Sequence, residues 1–88
     1  FVQVSNVRQQ PTSDGKVGIF ADVTNVSNKP MKKATVTVYY MDGANNILHS
    51  EVQELANIPS SSTANTGFYL RNVPNSKDIR VGVSNVEF

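Results

Sequence analysis

Few side chains in this sequence belong to the types that carry out catalysis or bind metals. The chain has one histidine, His49, and no cysteine. A zinc site needs three or four ligands drawn mainly from those two residue types, so we expect no bound metal and no cofactor. His49 and Ser50 are neighbours on a predicted strand, where adjacent side chains point to opposite faces, so the histidine cannot activate that serine. We expect no catalytic residues and no enzymatic activity, with a triad assembled from distant residues as the open alternative.

The Asp42-Gly43 pair occurs in the sequences of both calcium loops and hairpin turns. A calcium loop also requires acidic or amide ligands at alternating positions before its glycine, and Tyr40 stands at one of them. Glycine reaches positive φ without a steric clash, and aspartate accepts hydrogen bonds from the amides ahead of it. We therefore predict that Asp42 organises a hairpin and holds no metal ion.

Asn25-Val26-Ser27 matches the acceptor sequence for N-glycosylation. The same residues lie at the predicted end of a strand, where asparagine and serine side chains commonly bond to the turning backbone. We prefer the turn role, and glycosylation of Asn25 stays open.

Lys29, Lys32 and Lys33 form the one basic cluster of the chain, and Tyr39-Tyr40 follows about one strand length later. Cations interleaved with aromatic rings suit single-stranded nucleic acid, but the affinity depends on the number of phosphate contacts. Eight basic against seven acidic residues leave no general basic excess. We expect a solvated strand entrance and no nucleic-acid partner.

The elements that position these residues are predicted to be strands throughout. Apolar and polar residues alternate from Lys33 to Met41 and again from Lys16 to Val26, whereas no window shows the spacing of an amphipathic helix. Turn residues separate six or seven such segments at intervals of about ten residues. This pattern predicts an all-β fold, an immunoglobulin-like antiparallel β-sandwich of six or seven strands in a single domain over residues 1–88. The predicted core consists of the inward apolar positions Val17, Ile19, Ala21, Val23, Val36, Val38, Tyr40, Phe68, Leu70, Ile79, Val81 and Val83.

The longest uninterrupted apolar run is Val38-Tyr39-Tyr40-Met41, which is far shorter than a membrane span. We expect no membrane insertion. Because the sequence begins with Phe1 and not with methionine, we also expect it to be a segment of a longer protein.

The order of residues at the centre of the chain resembles the FxLYD family, small β-sandwich domains of bacterial and archaeal envelope or secreted proteins. The resemblance rests on Val23-Thr24-Asn25-Val26-Ser27-Asn28-Lys29-Pro30, on Val36-x-Val38-x-Tyr40-x-Asp42-Gly43 and on Ile47-Leu48. The name-giving positions fall on Val38, Tyr40, Met41 and Asp42, of which Asp42 is identical and the others keep the apolar class. The resemblance covers roughly residues 17–70. It implies an extracytoplasmic location and membership in a larger protein, and it brings no catalytic residue.

We expect a non-enzymatic accessory or protein-interaction module of an extracytoplasmic multidomain protein. Its partner would be another protein or a neighbouring domain of the parent chain, and the oligomeric state is left open. A carbohydrate-binding module of an envelope or secreted hydrolase is the alternative, because Tyr39 and Tyr69 could stack on sugar rings, although the chain has no tryptophan. A catalytic domain ranks third.

Two candidate partner-binding features follow from the alternation. Phe20 is a large apolar side chain on the outward face of its strand, and the neighbouring glycine would let another backbone approach closely. The second feature combines a cation, two hydroxyls, an aromatic ring and a thioether on one outward row. This row, called here the β3 stripe, consists of Lys33, Thr35, Thr37, Tyr39 and Met41.

Overall fold

The chain forms six β-strands and no helix in a computed structural model that describes residues 1–88. Three of the four prolines stand where strands begin or end, because proline has no N–H to donate to a ladder. Pro11 is the last residue of its strand, and Pro30 and Pro59 lie immediately outside theirs. The strands are β1 (Val2–Pro11), β2 (Val17–Asn25), β3 (Met31–Met41), β4 (Ile47–Ile58), β5 (Thr63–Tyr69) and β6 (Asp78–Glu87).

The strands form two three-stranded antiparallel sheets, with the orders β1-β2-β5 and β4-β3-β6. In each sheet one of the two strand pairs, β2 with β5 or β3 with β6, joins strands that are distant in sequence, as in immunoglobulin-like sandwiches. The predicted all-β antiparallel sandwich is confirmed, with six strands. No helix is present that could span a membrane.

The core lies between the two sheets and consists of two buried clusters. Phe68 and Val81 pack against both clusters and so connect them. The first cluster contains Val23, Met31, Ala34, Val36 and Ile58, and the second contains Ile19, Val38 and Tyr40.

The predicted core is confirmed at its centre and wrong at one end. Val17 and Leu70 are 38% and 37% exposed. The Leu70 N–H donates to the Val17 carbonyl at 2.8 Å, which places both residues at the same margin of the β1-β2-β5 sheet. Phe68, Ile79, Val81 and Val83 are half-buried.

Four core residues were not predicted: Met31, Ala34, Met41 and Ile58 are all buried. The sequence pattern places Met31 and Ile58 in connecting segments. In the structure the two residues pair with each other, because β3 begins earlier and β4 ends later in the chain than expected.

Two predicted irregularities are confirmed as bulges in edge strands. The β1–β2 register shifts between Ser5 and Arg8, and Asn6 adopts a φ of 54°. The β3–β6 register shifts between Ser84 and Glu87, and Asn85 adopts a φ of 51°. Asparagine tolerates this left-handed conformation better than most residues with a side chain.

Candidate partner-binding surface

The β3 stripe begins on the outer face of the β4-β3-β6 sheet, as its alternation predicts. Val36 and Val38 are fully buried, whereas Thr35, Thr37 and the other stripe residues before Met41 are partly exposed. Thr37 lies between Val52 of β4 and a glycine of β6 in the ladder. The surface therefore includes residues from three strands.

Lys33 is not a free cation. Its Nζ lies 3.4 Å from Glu54 Oε2 and 4.0 Å from Glu87 Oε2. These two carboxylates flank it from β4 and from β6, and all three side chains are exposed enough for solvent to screen the pairs. Lys33 therefore marks a locally neutral end of the surface.

The centre of the surface is apolar. Tyr39 is paired with Ser50 on one side and Arg80 on the other, and its ring lies beside Gly82, where an added Cβ would be 3.5 Å from Tyr39 Cε2. Val52 is 65% exposed, more than any other large hydrophobic side chain except Phe1. Sequence reasoning did not assign Val52 to the surface, because only the strand pairing brings it beside the stripe.

Met41, predicted to be exposed at the end of the stripe, is only 8% exposed. The β3–β4 register shifts between Tyr40 and Met41. The Lys77 N–H donates to the Met41 carbonyl at 2.7 Å, which holds the segment before β6 against this end of β3. Simple alternation therefore fails at the last residue, and Met41 contributes little contact surface.

Phe20 lies on the outer face of the opposite sheet, so it does not form one site with the β3 stripe. An added Cβ would lie 2.6 Å from the Phe20 ring at Gly18 and 2.9 Å from it at Gly67. The ring therefore fills the space over both glycines, and the Arg8 guanidinium lies 5.7 Å from its centroid. The Phe20 side chain therefore blocks the expected approach of another backbone to the neighbouring glycines, and the ring itself is half-exposed.

Asn25 has the turn role that was preferred for the sequon. Its side chain is fully buried, and its Nδ2 donates to the carbonyls of Lys29 at 2.8 Å and Ile58 at 3.1 Å. Its Oδ1 accepts bonds from the Ser27 N–H and hydroxyl. The nitrogen to which a glycan would attach is thus occupied within the fold.

Asp42 organises the β3–β4 hairpin, as predicted. Its Oδ1 accepts from the backbone N–H groups of Ala44 at 2.8 Å and Asn46 at 2.9 Å. The bonds from the Asn46 backbone and side chain, together with the one from Ala44, lower the pKa of the Asp42 carboxyl. Its lone pairs therefore serve the turn.

A polar row on the inward side of β4 was not predicted as a group. His49, Glu51 and Gln53 share this side, because they pair with buried residues of β3. Glu51 Oε2 accepts from Arg71 Nε at 2.8 Å and lies 3.3 Å from His49 Nε2. The spacing of two residues between His49, Glu51 and Gln53 could have indicated a shared face of the strand. The pairing with Arg71 could not be predicted in this way, because Arg71 comes from another part of the chain. The row forms an ion-paired rim where β4 extends beside β5.

The largest concavity, of about 520 Å³, lies at one end of the sandwich between β1 and the segment before β6. Its sides include Arg8, Arg71, Lys77 and Asp78, above the buried Tyr40. The Tyr40 hydroxyl accepts the Arg71 N–H at 3.0 Å, which fixes the segment over this end. Arg8, Arg71 and Asp78 are each paired with an opposite charge in the same chain, so the cleft shows no strong single-sign field.

Comparison of the chain with protein-family models, with curated proteins and with solved structures gives no match. The resemblance to the FxLYD family therefore stays a prediction.

Proposed function

We propose that this domain is a non-enzymatic accessory or protein-interaction module, and that its partner binds the outer face of the β4-β3-β6 sheet. One observation carries the proposal: the exposed Val52 and the partly exposed Tyr39 form an apolar centre on a sheet face whose margins are charged. Protein interfaces commonly have such an apolar, tyrosine-containing centre and a polar rim.

The charges around this centre favour a protein partner over a highly charged ligand. At one end of the surface the charge of Lys33 is balanced by two carboxylates. Near the other end of the surface Arg80 is paired with Asp78 at 3.2 Å. A near-neutral rim gives little attraction for a polyanion, whereas a protein can satisfy both signs of charge. The resemblance to envelope and secreted domains supports an extracytoplasmic location and a larger parent protein.

Site-specific photo-crosslinking tests this assignment. A photoreactive phenylalanine analogue would replace Tyr39, or in a control the exposed Tyr69 of the opposite sheet, in the natural chain in its own cells. We expect Tyr39 to yield a product with another protein or with a neighbouring domain, identified by mass spectrometry. Products from Tyr69 alone, or from neither position, would contradict the proposed surface.

Carbohydrate binding is the second candidate function, and the outer face of the β1-β2-β5 sheet favours it. Tyr69, which is 55% exposed, and the Phe20 ring, which covers Gly18 and Gly67, line a groove of about 350 Å³. Beside it, Asp22 accepts bonds from the side-chain amides of Asn6 and Asn65. Flat aromatic surfaces beside amides and a carboxylate suit a sugar ring and its hydroxyls.

A glycan array followed by titration of any bound oligosaccharide tests this candidate. We expect Tyr69→Ala to weaken binding by about tenfold, the effect of losing one stacking contact of roughly 1.4 kcal/mol. Tyr39→Ala, on the opposite sheet, is the matched control and should bind unchanged. An array with no bound glycan, or equal loss in both variants, would remove this candidate.

A further inference from the structure

The free edge of β4 is the longest unpaired strand edge in the domain. β4 has 12 residues and pairs only with β3. The backbone hydrogen bonds outside the sheets do not involve residues 47–58, so no second strand of the chain pairs with the other edge of β4. An exposed edge offers a row of N–H and C=O groups to another strand.

The other three edge strands are less suited to pairing. β1 and β6 are interrupted by the bulges at Asn6 and Asn85, and β5 has only 7 residues. Bulges and short strands commonly prevent edge-to-edge association. β4 also has an asparagine at positive φ, Asn57 at 57°, and a register shift beside Ile47, but between these two points it pairs with β3 without a break from His49 to Ala56.

The charges on this stretch are already balanced within the chain. Glu51 is paired with Arg71 at 2.8 Å, and Glu54 is paired with Lys33 at 3.4 Å. Inward or exposed charges usually protect an edge strand, but these carboxylates do not leave a net negative row. Between them lies Val52, 65% exposed on the outer face.

We propose that β4 pairs antiparallel with β4 of a second copy of this chain, about a two-fold axis at Val52, to give a continuous six-stranded sheet. The axis places Val52 against Val52 of the second copy, Glu51 opposite Gln53 and Ser50 opposite Glu54. Like charges directly opposite each other would be unfavourable, and this register opposes none. An axis one residue earlier would oppose the two copies of Glu51, and an axis one residue later would oppose Val52 to Glu54.

The two-fold axis would be perpendicular to the sheet, so the outer faces of the two β4-β3-β6 sheets would lie on the same side of the six-stranded sheet. The two Tyr39 side chains would flank the Val52 pair. The inference goes beyond the proposed function, which requires only the outer face of one copy. Either proposal can therefore fail while the other holds.

Sedimentation velocity of the 88-residue chain at increasing concentration tests the association. A contact made by one strand edge is smaller than a standard interface of about 1,600 Å², so we expect a weak, concentration-dependent dimer. Val52→Lys would oppose two ammonium groups across the axis, and the dissociation constant should rise at least about tenfold. The matched control is Val7→Lys, because Val7 is 49% exposed on the edge strand of the other sheet. This control should dimerise like the parent.

Cysteine substitution tests the register, because the chain has no cysteine of its own. Directly opposed residues have Cα atoms about 4.5 to 5.5 Å apart, within the range that a disulfide can bridge. Val52→Cys should therefore form a covalent dimer on mild oxidation. Glu54→Cys should not, because its two copies would lie about 14 Å apart along the strands.

A monomer at every concentration, or equal disulfide formation by Val52→Cys and Glu54→Cys, would overturn the proposal. A monomer whose β4 edge crosslinks to a different protein would assign the edge to that protein and would also overturn it. Thermal unfolding of each variant confirms that it is folded, so loss of the dimer cannot be attributed to loss of structure.

Discussion

Replacing Asn25 by alanine should destabilise this domain more than any other single polar substitution. The side chain joins the turn after β2 to the end of β4, because it bonds to Ser27, Lys29 and Ile58. The backbone of the same residue bonds to Ser61 and Ser62, which lead into β5. One buried amide therefore fixes both connections at this end of the sandwich.

The magnitude follows from the bonds that are lost. The side chain donates two hydrogen bonds and accepts two, at distances between 2.6 and 3.1 Å, in a residue that is 0% exposed. At about 1 kcal/mol for each bond, Asn25→Ala should cost about 4 kcal/mol. For a domain of this size, that corresponds to a fall in Tm of about 15 to 30 °C.

Asn28→Ala is the matched control, because Asn28 is an exposed asparagine of the same turn. It should change the free energy of unfolding by less than about 0.5 kcal/mol. The unfolding of both variants by urea and by heat is monitored by circular dichroism at pH 7. A loss below about 1 kcal/mol for Asn25→Ala would refute the reasoning that this side chain connects the two turns.

Asn25→Asp separates the hydrogen bonds from the volume of the side chain. The carboxylate would face the Lys29 and Ile58 carbonyls without a proton to donate, so burial should raise its pKa in the folded state. A raised folded pKa means that the folded state binds more protons, and stability then increases as the pH falls. We expect this variant to gain stability between pH 7 and pH 4.5. A constant or falling stability would show that the carboxylate is not buried in this position.

The remaining predictions concern the hairpin, the pH dependence and the core. Asp42→Ala should lower the Tm by the same amount with millimolar calcium and with chelator, whereas a rise of several degrees on adding calcium to the parent chain would show a metal site. Bonds from Asn46 lower the pKa of Asp42 in the fold, so its stabilising effect is present above the ordinary aspartate pKa of about 4 and is lost as the pH falls through the lowered value. Asp42→Asn should accordingly reduce the loss of Tm below pH 4, and an unchanged acid profile would contradict this. Phe68→Ala should cost about 3 kcal/mol, because the half-buried ring packs against both core clusters; a loss under about 1 kcal/mol would contradict this. Tyr40→Phe removes the acceptor for the Arg71 N–H and should cost about 1 kcal/mol in urea unfolding, and no change would mean that water replaces the hydroxyl.

The predicted surface was only partly recoverable from the sequence. Alternation along β3 placed Thr35, Thr37 and Tyr39 correctly on one outward face. It could not assign Val52 to the same face, because that depends on the register between β3 and β4. It also misplaced Met41, because a register shift precedes this residue.

The sequence by itself determined the strands, the turns and the centre of the core. These features depend on the period-two spacing of apolar residues and on the local conformations of asparagine, glycine and proline, which act over a few residues. The bulges at Asn6 and Asn85 and the Asp42 hairpin were predictable for this reason.

Only the tertiary structure decided which strands are neighbours and which edge is free. The bonds from Asn25 to Ile58 and from Arg71 to Glu51 join residues that are 33 and 20 positions apart. Such contacts depend on how the two sheets pair and stack, and a single sequence carries no local signal for that pairing. The exposure of Val52, and with it the β4 edge, follows from the order β4-β3-β6, which leaves β4 at the margin of its sheet.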